Sequence, residues 1–149
     1  MRGTLLFMPP NNNTRPLKDI AKESIFNLLL HSNKISFKIE ESNILDLYSG
    51  IGSFGLECLS REAKSVCFVE KEKEVVNILE KNIKKLKINK KTKIYCVDVL
   101  KFIRKKINLT FDLVFCDPPF NNEDIEILIE FIYINKLLKK NGILVIHRN

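Results

Sequence analysis

Residues 43–55 read NILDLYSGIGSFG, and no other stretch leaves the fold of this 149-residue chain so little choice. Asn43 to Leu47 is a short apolar run of the kind that becomes a strand buried on both faces. It runs through Asp46-Leu47-Tyr48-Ser49 into Gly50, Gly52 and Gly55, a G-x-G-x-x-G spacing, while Phe54 to Arg61 has helical character. Glycine is needed where backbone turns tightly and where a ligand must approach the amides closely. The spacing carries meaning here because it follows a strand and opens a helix.

The rest of the chain repeats that alternation. Ser65 to Val69 reads as a second strand ending at Glu70, and Lys71 to Leu86 as an amphipathic helix with Val75, Val76, Leu79, Ile83 and Leu86 inward. Lys93 to Val97 is a third strand ending at Asp98, followed by a short basic helix over Leu100 to Ile107. Phe111 to Cys116 is a fourth strand, Asp124 to Leu138 a helix, Lys139 to Gly142 a turn and Ile143 to Ile146 a fifth strand. Ahead of the glycines, Leu17 to Leu30 is expected as a helix beginning near Pro16. Ile20, Ser24, Phe26, Asn27 and Leu28 to Leu30 follow its rhythm, with Lys18, Asp19, Lys22 and Glu23 opposite. His31 to Ser42 is a polar connection. Met1 to Asn13 is polar and irregular, and its composition favours a frayed terminus over an ordered arm. Such alternation specifies an α/β fold with a Rossmann-like parallel sheet and right-handed crossovers. One domain over residues 15–149 is expected, preceded by an arm over 1–14.

Composition narrows the setting. With 45% hydrophobic residues the chain can build a core. No apolar run approaches the ~20 residues that span a bilayer, and Leu5 to Met8 is too short for a signal peptide, so a cytoplasmic protein without membrane association is expected. Cys58, Cys67, Cys96 and Cys116 are scattered, without a C-x-x-C pair or a nearby histidine. They are expected as buried thiols, with no metal site. The net charge of +7 permits contacts with a polyanion without demanding them. The lysines of Lys84 to Lys93 are expected as a solvated face.

The chemistry concentrates at FDLVFCDPPF, residues 111–120. Neither proline can donate to a sheet ladder, so Pro118 and Pro119 end the strand, and Pro118 pushes Asp117 into extended backbone. Asp117, the freed carbonyls and the Phe120 ring are thus held at a strand's carboxyl end, where open α/β sheets bind ligands. The exocyclic amine of a nucleobase is a poor nucleophile because its lone pair is delocalised into the ring. A carboxylate and a carbonyl, each accepting one amine hydrogen, favour the pyramidal nitrogen that can attack. A flat ring alongside can stack on the base, worth about 1–3 kcal/mol. The bland alternative is a strand that ends in a proline turn beside a half-buried Phe.

Glycines followed by Glu70, about 20 residues on, suit either a dinucleotide or S-adenosylmethionine. Asp46 would repel a pyrophosphate but suits a sulfonium amino acid. Asp98 is placed to accept from an adenine amine, and a hydride-transfer enzyme has no use for the base-binding tip. Read structurally, Asp46 and Asp98 would be solvated strand ends or helix caps.

On these residues the chain resembles the class I methyltransferases, and more narrowly the RsmD-type enzymes that methylate the N2 amine of a guanine in small-subunit (16S) ribosomal RNA. An amino-terminal signature of that family is matched by Arg15-Pro16, Lys22-Glu23 and Phe26-Asn27, its cofactor loop by Asp46 to Gly55 and onward through Leu56-Glu57 to Ser60-Arg61, and its catalytic tetrapeptide by Asp117-Pro118-Pro119-Phe120. The resemblance implies S-adenosyl-L-methionine held by Asp46, Tyr48, Ser49, Gly50, Gly52, Gly55, Glu70, Asp98 and Val99. It implies catalysis by Asp117, Pro118, Pro119 and Phe120, and RNA contacts from Arg15, Lys22 and Phe120. Ribosomal RNA or the small ribosomal subunit particle is the implied partner of a monomeric enzyme. Departures are Leu17 in place of Thr, Ile20 at a basic position, a shorter arm before Arg15, and His147 where the family commonly has Glu. The family also adds two strands after the fifth as a closing hairpin; none follows here, so an open edge, a covering partner, a fragment or a degenerate enzyme is expected. The tetrapeptide is shared with DNA adenine methyltransferases, which makes that activity one rival reading. A non-catalytic remnant is another, and a nicotinamide enzyme a third.

Overall fold

Five apolar runs pair into one parallel sheet in the computed structural model, which describes residues 3–10, 17, 19–119 and 124–148. The strands are β1 (Asn43–Leu47), β2 (Ser65–Glu70), β3 (Thr92–Cys96), β4 (Phe111–Cys116) and β5 (Leu138–Ile146), in the order β3-β2-β1-β4-β5. The chain therefore builds outward from β1 through β2 to β3, then restarts on the other side of β1 with β4 and β5. The gap between the carboxyl ends of β1 and β4 is the switch point of the sheet, where such folds bind ligands.

The period-2 alternation of the strands sorts their side chains into two layers. Ile44, Val66, Phe68, Leu113 and Phe115 face α1 (Asp19–His31), α2 (Ser53–Ser60) and α3 (Lys73–Leu86). Leu45, Leu47, Val69, Val114 and Cys116 face α4 (Val99–Arg104) and α5 (Ile125–Ile134). Helices thus cover both faces, as the alternation implies. A stack of rings ties the first layer together: Phe26 of α1 lies 5.0 Å from Phe54 of α2, which lies 3.8 Å from Phe115 of β4. No helix of the described residues is long and apolar enough to cross a membrane.

Four expectations need correction. The last helix stops at Ile134 instead of Leu138, because Lys136 turns left-handed (φ 51°) and Leu138 already pairs with Phe111. The expected turn over Lys139 to Gly142 is an irregularity inside β5, between the pairs Phe111–Leu138 and Leu113–Ile143. In α1 the buried residues are Phe26 and Leu29, while Ile20 is 80% and Leu28 62% exposed. Lys22, one turn before Phe26, falls on that inner stripe and not on the solvent side. Of the thiols, Cys58 and Cys116 are buried, but Cys67 is half-buried and Cys96, at the end of the sheet's edge strand β3, is exposed.

The described part of the arm is not frayed either. Asn82 of α3, wholly buried, accepts from the Phe7 N–H at 2.7 Å and donates back to the Phe7 carbonyl at 3.3 Å. Lys85 Nζ donates to the Leu5 carbonyl at 2.6 Å and stands over the Phe7 ring. A buried amide side chain is costly without partners, so Asn82 needs the arm as much as the arm needs Asn82.

Candidate active site

The loop after β1 is shaped by left-handed backbone at Tyr48 (φ 56°), Gly50 (φ 55°) and Gly52 (φ 83°). Tyr48 is a residue type that rarely adopts this region, and nothing in its sequence context signals it. Two carboxylates fasten the loop from below. Asp46 Oδ2 accepts from the Gly55 N–H at 3.0 Å, and Glu70 bridges the Gly50 N–H (Oε2, 3.0 Å) and the Glu72 N–H (Oε1, 2.9 Å). Bonds from backbone N–H to a carboxylate are about twice as strong as neutral ones. Gly55 has a steric reason as well: a Cβ there would stand 2.4 Å from Phe68 Cε1 and 2.8 Å from Val66 Cγ1.

Asp46 is only 1% exposed. Burial pushes its carboxyl well above the usual carboxylate range; the Gly55 N–H pulls the other way, and the neighbouring Asp117 and Glu70 charges add to the rise. It is therefore not a solvated strand end but a buried acid that, from outside the helix, satisfies one of the free amides in the first turn of α2.

At the end of β4 the Asp117 N–H reaches the Leu47 carbonyl of β1 at 3.5 Å, so the two strand ends touch directly. Asp117 Oδ1 lies 2.8 Å from His147 Nδ1, and the His147 N–H donates to the Cys116 carbonyl at 2.9 Å. The residue that departs from the family pattern is thus the one that holds the tip's carboxylate. Burial pushes the Cys116 thiol up, with the Asp117 and Asp46 charges reinforcing it, which makes Cys116 an inert core group. Pro118 is half-buried and Pro119 exposed. Phe120 and Arg15, expected at the base and the RNA, lie outside the described residues.

One pocket joins the two loops. It is a cleft open to solvent, and Asp46, Tyr48, Ser49, Gly50 and Asp117 all line it. Glu70 is joined to it through Gly50, and Gly52 and Gly55 support the loop from within the core. Among the described residues, Asp98 and Val99 are not part of this lining. Asp98 Oδ1 caps α4, accepting from the Lys101 N–H at 3.1 Å, and Val99 is buried beneath it. Sequence reasoning missed Pro9, Leu17, Ile51, Ser53, Phe54 and Phe115, which complete the wall. Ser53 sits inside the glycine spacing and was readable there; Pro9 arrives through the arm's anchorage on Asn82 and left no local signal. Lys22 Nζ donates to Ser53 Oγ at 3.3 Å. Among the described residues no cluster of His, Cys, Asp and Glu could hold a metal ion.

Comparison with known proteins identifies the family and the fold. The family model described as conserved hypothetical protein 95 matches residues 1–149. Ribosomal RNA small subunit methyltransferase D of Haemophilus influenzae is 37% identical over 145 residues, covering 96% of this chain and 72% of that protein. A solved structure from the same organism, provisionally named a methylase, is 36% identical with a TM-score of 0.73, covering 89% of this chain and 80% of that one. A second from Escherichia coli, provisionally named a methyltransferase, has a TM-score of 0.78 at 27% identity, covering 93% of this chain and 72% of that one. The chain belongs to the RsmD-type family of class I methyltransferases.

Proposed function

We propose that this protein transfers a methyl group from S-adenosylmethionine to the exocyclic N2 amine of a guanine in small-subunit ribosomal RNA. The observation that carries this reading is the shared pocket: the glycine loop after β1 and Asp117 after β4 face one space. The residues fit the cofactor. Ser49 Oγ is buried with no hydrogen-bond partner, and a Cβ on Gly50 would meet nothing within 4 Å, so the loop offers both an unused polar atom and open backbone. When bound, the cofactor supplies a methyl group made electrophilic by its sulfonium.

In this reading Glu70 holds ribose hydroxyls while keeping Gly50 in place, Asp98 accepts from an adenine amine with its cap oxygen retained, and Val99 flanks it. Asp46, Tyr48, Ser49 and Gly50 form the methionine end. Asp117 and the Pro118 carbonyl accept the two hydrogens of the target amine, and Phe120 stacks on a base splayed out of its helix. Most of the rate gain comes from alignment. Residues 15–149 are the methyltransferase domain and 1–14 its arm.

The test is methyl incorporation. Purified protein with tritiated cofactor and small ribosomal subunits lacking this methyl group should yield label in N2-methylguanosine after nuclease digestion. Label in N6-methyladenosine of DNA, or none in either, overturns the reading.

A further inference from the structure

The methyl-donor reading leaves one group of the donor without a partner. S-adenosylmethionine carries two positive centres, the sulfonium and the α-ammonium, and one negative centre, the amino-acid carboxylate. Among the described residues, the carboxyl groups lining the pocket are those of Asp46 and Asp117, with a third, Glu70, bonded behind Gly50, and no cation is among the lining groups. These suit the positive centres and repel the carboxylate. A cation would complement it at the methionine end, and α1 brings one there.

Lys22 lies on the inner stripe of α1, with its side chain 22% exposed. Its Nζ is 3.3 Å from the hydroxyl of Ser53, a pocket residue, and Leu17, just ahead of α1, lines the same pocket. The ammonium group is also 3.5 Å from Asp19 Oδ1, but Asp19 is 97% exposed, and ion pairs of that kind are weak and exchange readily. The unpartnered Ser49 Oγ on the same loop is an independent sign that a polar ligand group belongs at this end.

We infer that Lys22 holds the carboxylate of the cofactor's amino-acid moiety, with Ser53 Oγ as its rest position when the carboxylate is absent. The inference rests on the methyltransferase reading of the pocket. It moves Lys22 from the RNA-facing set to the cofactor set, and it explains why a lysine occupies the buried side of α1. The aliphatic stem packs in the stripe while the charge reaches the loop.

Calorimetry with two ligands tests it. S-adenosylhomocysteine keeps the carboxylate; 5′-methylthioadenosine keeps the adenosine and the thioether but lacks the amino acid. Lys22→Met, which preserves the stem, should weaken S-adenosylhomocysteine about tenfold and leave 5′-methylthioadenosine within about twofold. Lys22→Arg should keep most of the affinity for both. Equal binding of S-adenosylhomocysteine by Lys22→Met and the parent overturns the inference, as does an equal loss for both ligands, which would mark Lys22 as a staple between α1 and α2. An effect of Lys22→Met on RNA retention alone also overturns it. If the parent binds neither ligand, the methyltransferase reading itself falls.

Discussion

The two strand ends that meet at the pocket are held by opposite means. After β1 the loop is bonded from beneath: Asp46 takes the Gly55 amide, Glu70 takes the amides of Gly50 and Glu72, and the loop's own Ser49 carbonyl takes the Gly52 amide. After β4 the chain is stiffened covalently by Pro118 and Pro119, and the Asp117 carboxyl is oriented through one side chain, His147. Under the proposed function the difference matches the work each end would do. A loop that grips a ligand through its backbone must keep that backbone still, so its amides are fixed by buried acids. A carboxylate that is to receive hydrogens from a substrate has to keep acceptor capacity, so it is steered by one histidine on a rigid backbone.

If that division holds, damage at the two ends separates. The largest effect is expected at the tip: Asp117→Ala should lower the rate of methyl transfer by about 10²–10³, the usual cost of removing one placed group at a reacting centre, while S-adenosylhomocysteine still binds within about twofold. Full activity in this variant would show that the acid has no role in the chemistry. The next effect belongs to the other end. Glu70→Ala strands two amides that now bond a charged group, a loss of about 1.5–3 kcal/mol, and should appear in calorimetry as weaker cofactor binding by tenfold or more with turnover at saturation little changed. A drop in saturated turnover with unchanged affinity would reverse the assignment of the two ends.

The third variant asks whether the glycine loop is also part of the core. Gly55→Ala puts a methyl group against Phe68 and Val66, both wholly buried in β2, and neither has room to retreat. Overpacking of this kind costs about 1–3 kcal/mol. It should be seen as a lower urea midpoint at unchanged slope. A wild-type midpoint would mean that α2 slides outward at no cost.

How well the chain could be read without coordinates also divides along these ends. Asp46, the glycines, Glu70 and Asp117 were legible as strand ends because alternation makes the sheet parallel, and a parallel sheet puts the carboxyl ends of all its strands on one edge. Lys22 was misplaced because Leu28, Leu29 and Leu30 follow one another and cannot all lie on one helical face; choosing Leu29 with Phe26 as the buried pair brings Lys22 inward. The arm was misjudged because its partner, Asn82, looks like one polar residue on an amphipathic helix, and the bonds that justify it span 75 residues. His147 was visible as a departure, but its contact with Asp117 depends on the register of β5 against β4, which the irregularity between Phe111 and Leu113 resets. Asp98 had two compatible readings; the cap is present and the adenine contact remains for experiment.

The smallest effect expected is also the one that isolates Asp46 from the tip. Its native pKa is raised by burial, whereas in the unfolded chain it titrates near the ordinary value of about 3.9. The native state therefore holds this proton more tightly than the unfolded state. The stability that goes with the protonated form is complete below the unfolded value and is lost as pH rises through the raised native one. Asp46→Asn keeps an oxygen for the Gly55 amide and never ionises. Urea midpoints measured at increasing pH should show the variant gaining on the parent throughout the range between the unfolded and the raised native pKa. Where the parent has ionised, the same change also removes a negative charge from the pocket wall, so under the proposed function binding of a sulfonium cofactor should fall by a few-fold while stability improves. A gap that does not change with pH would mean that ionisation of Asp46 is not coupled to folding, and the acid beneath the loop would then be a simple hydrogen-bond acceptor.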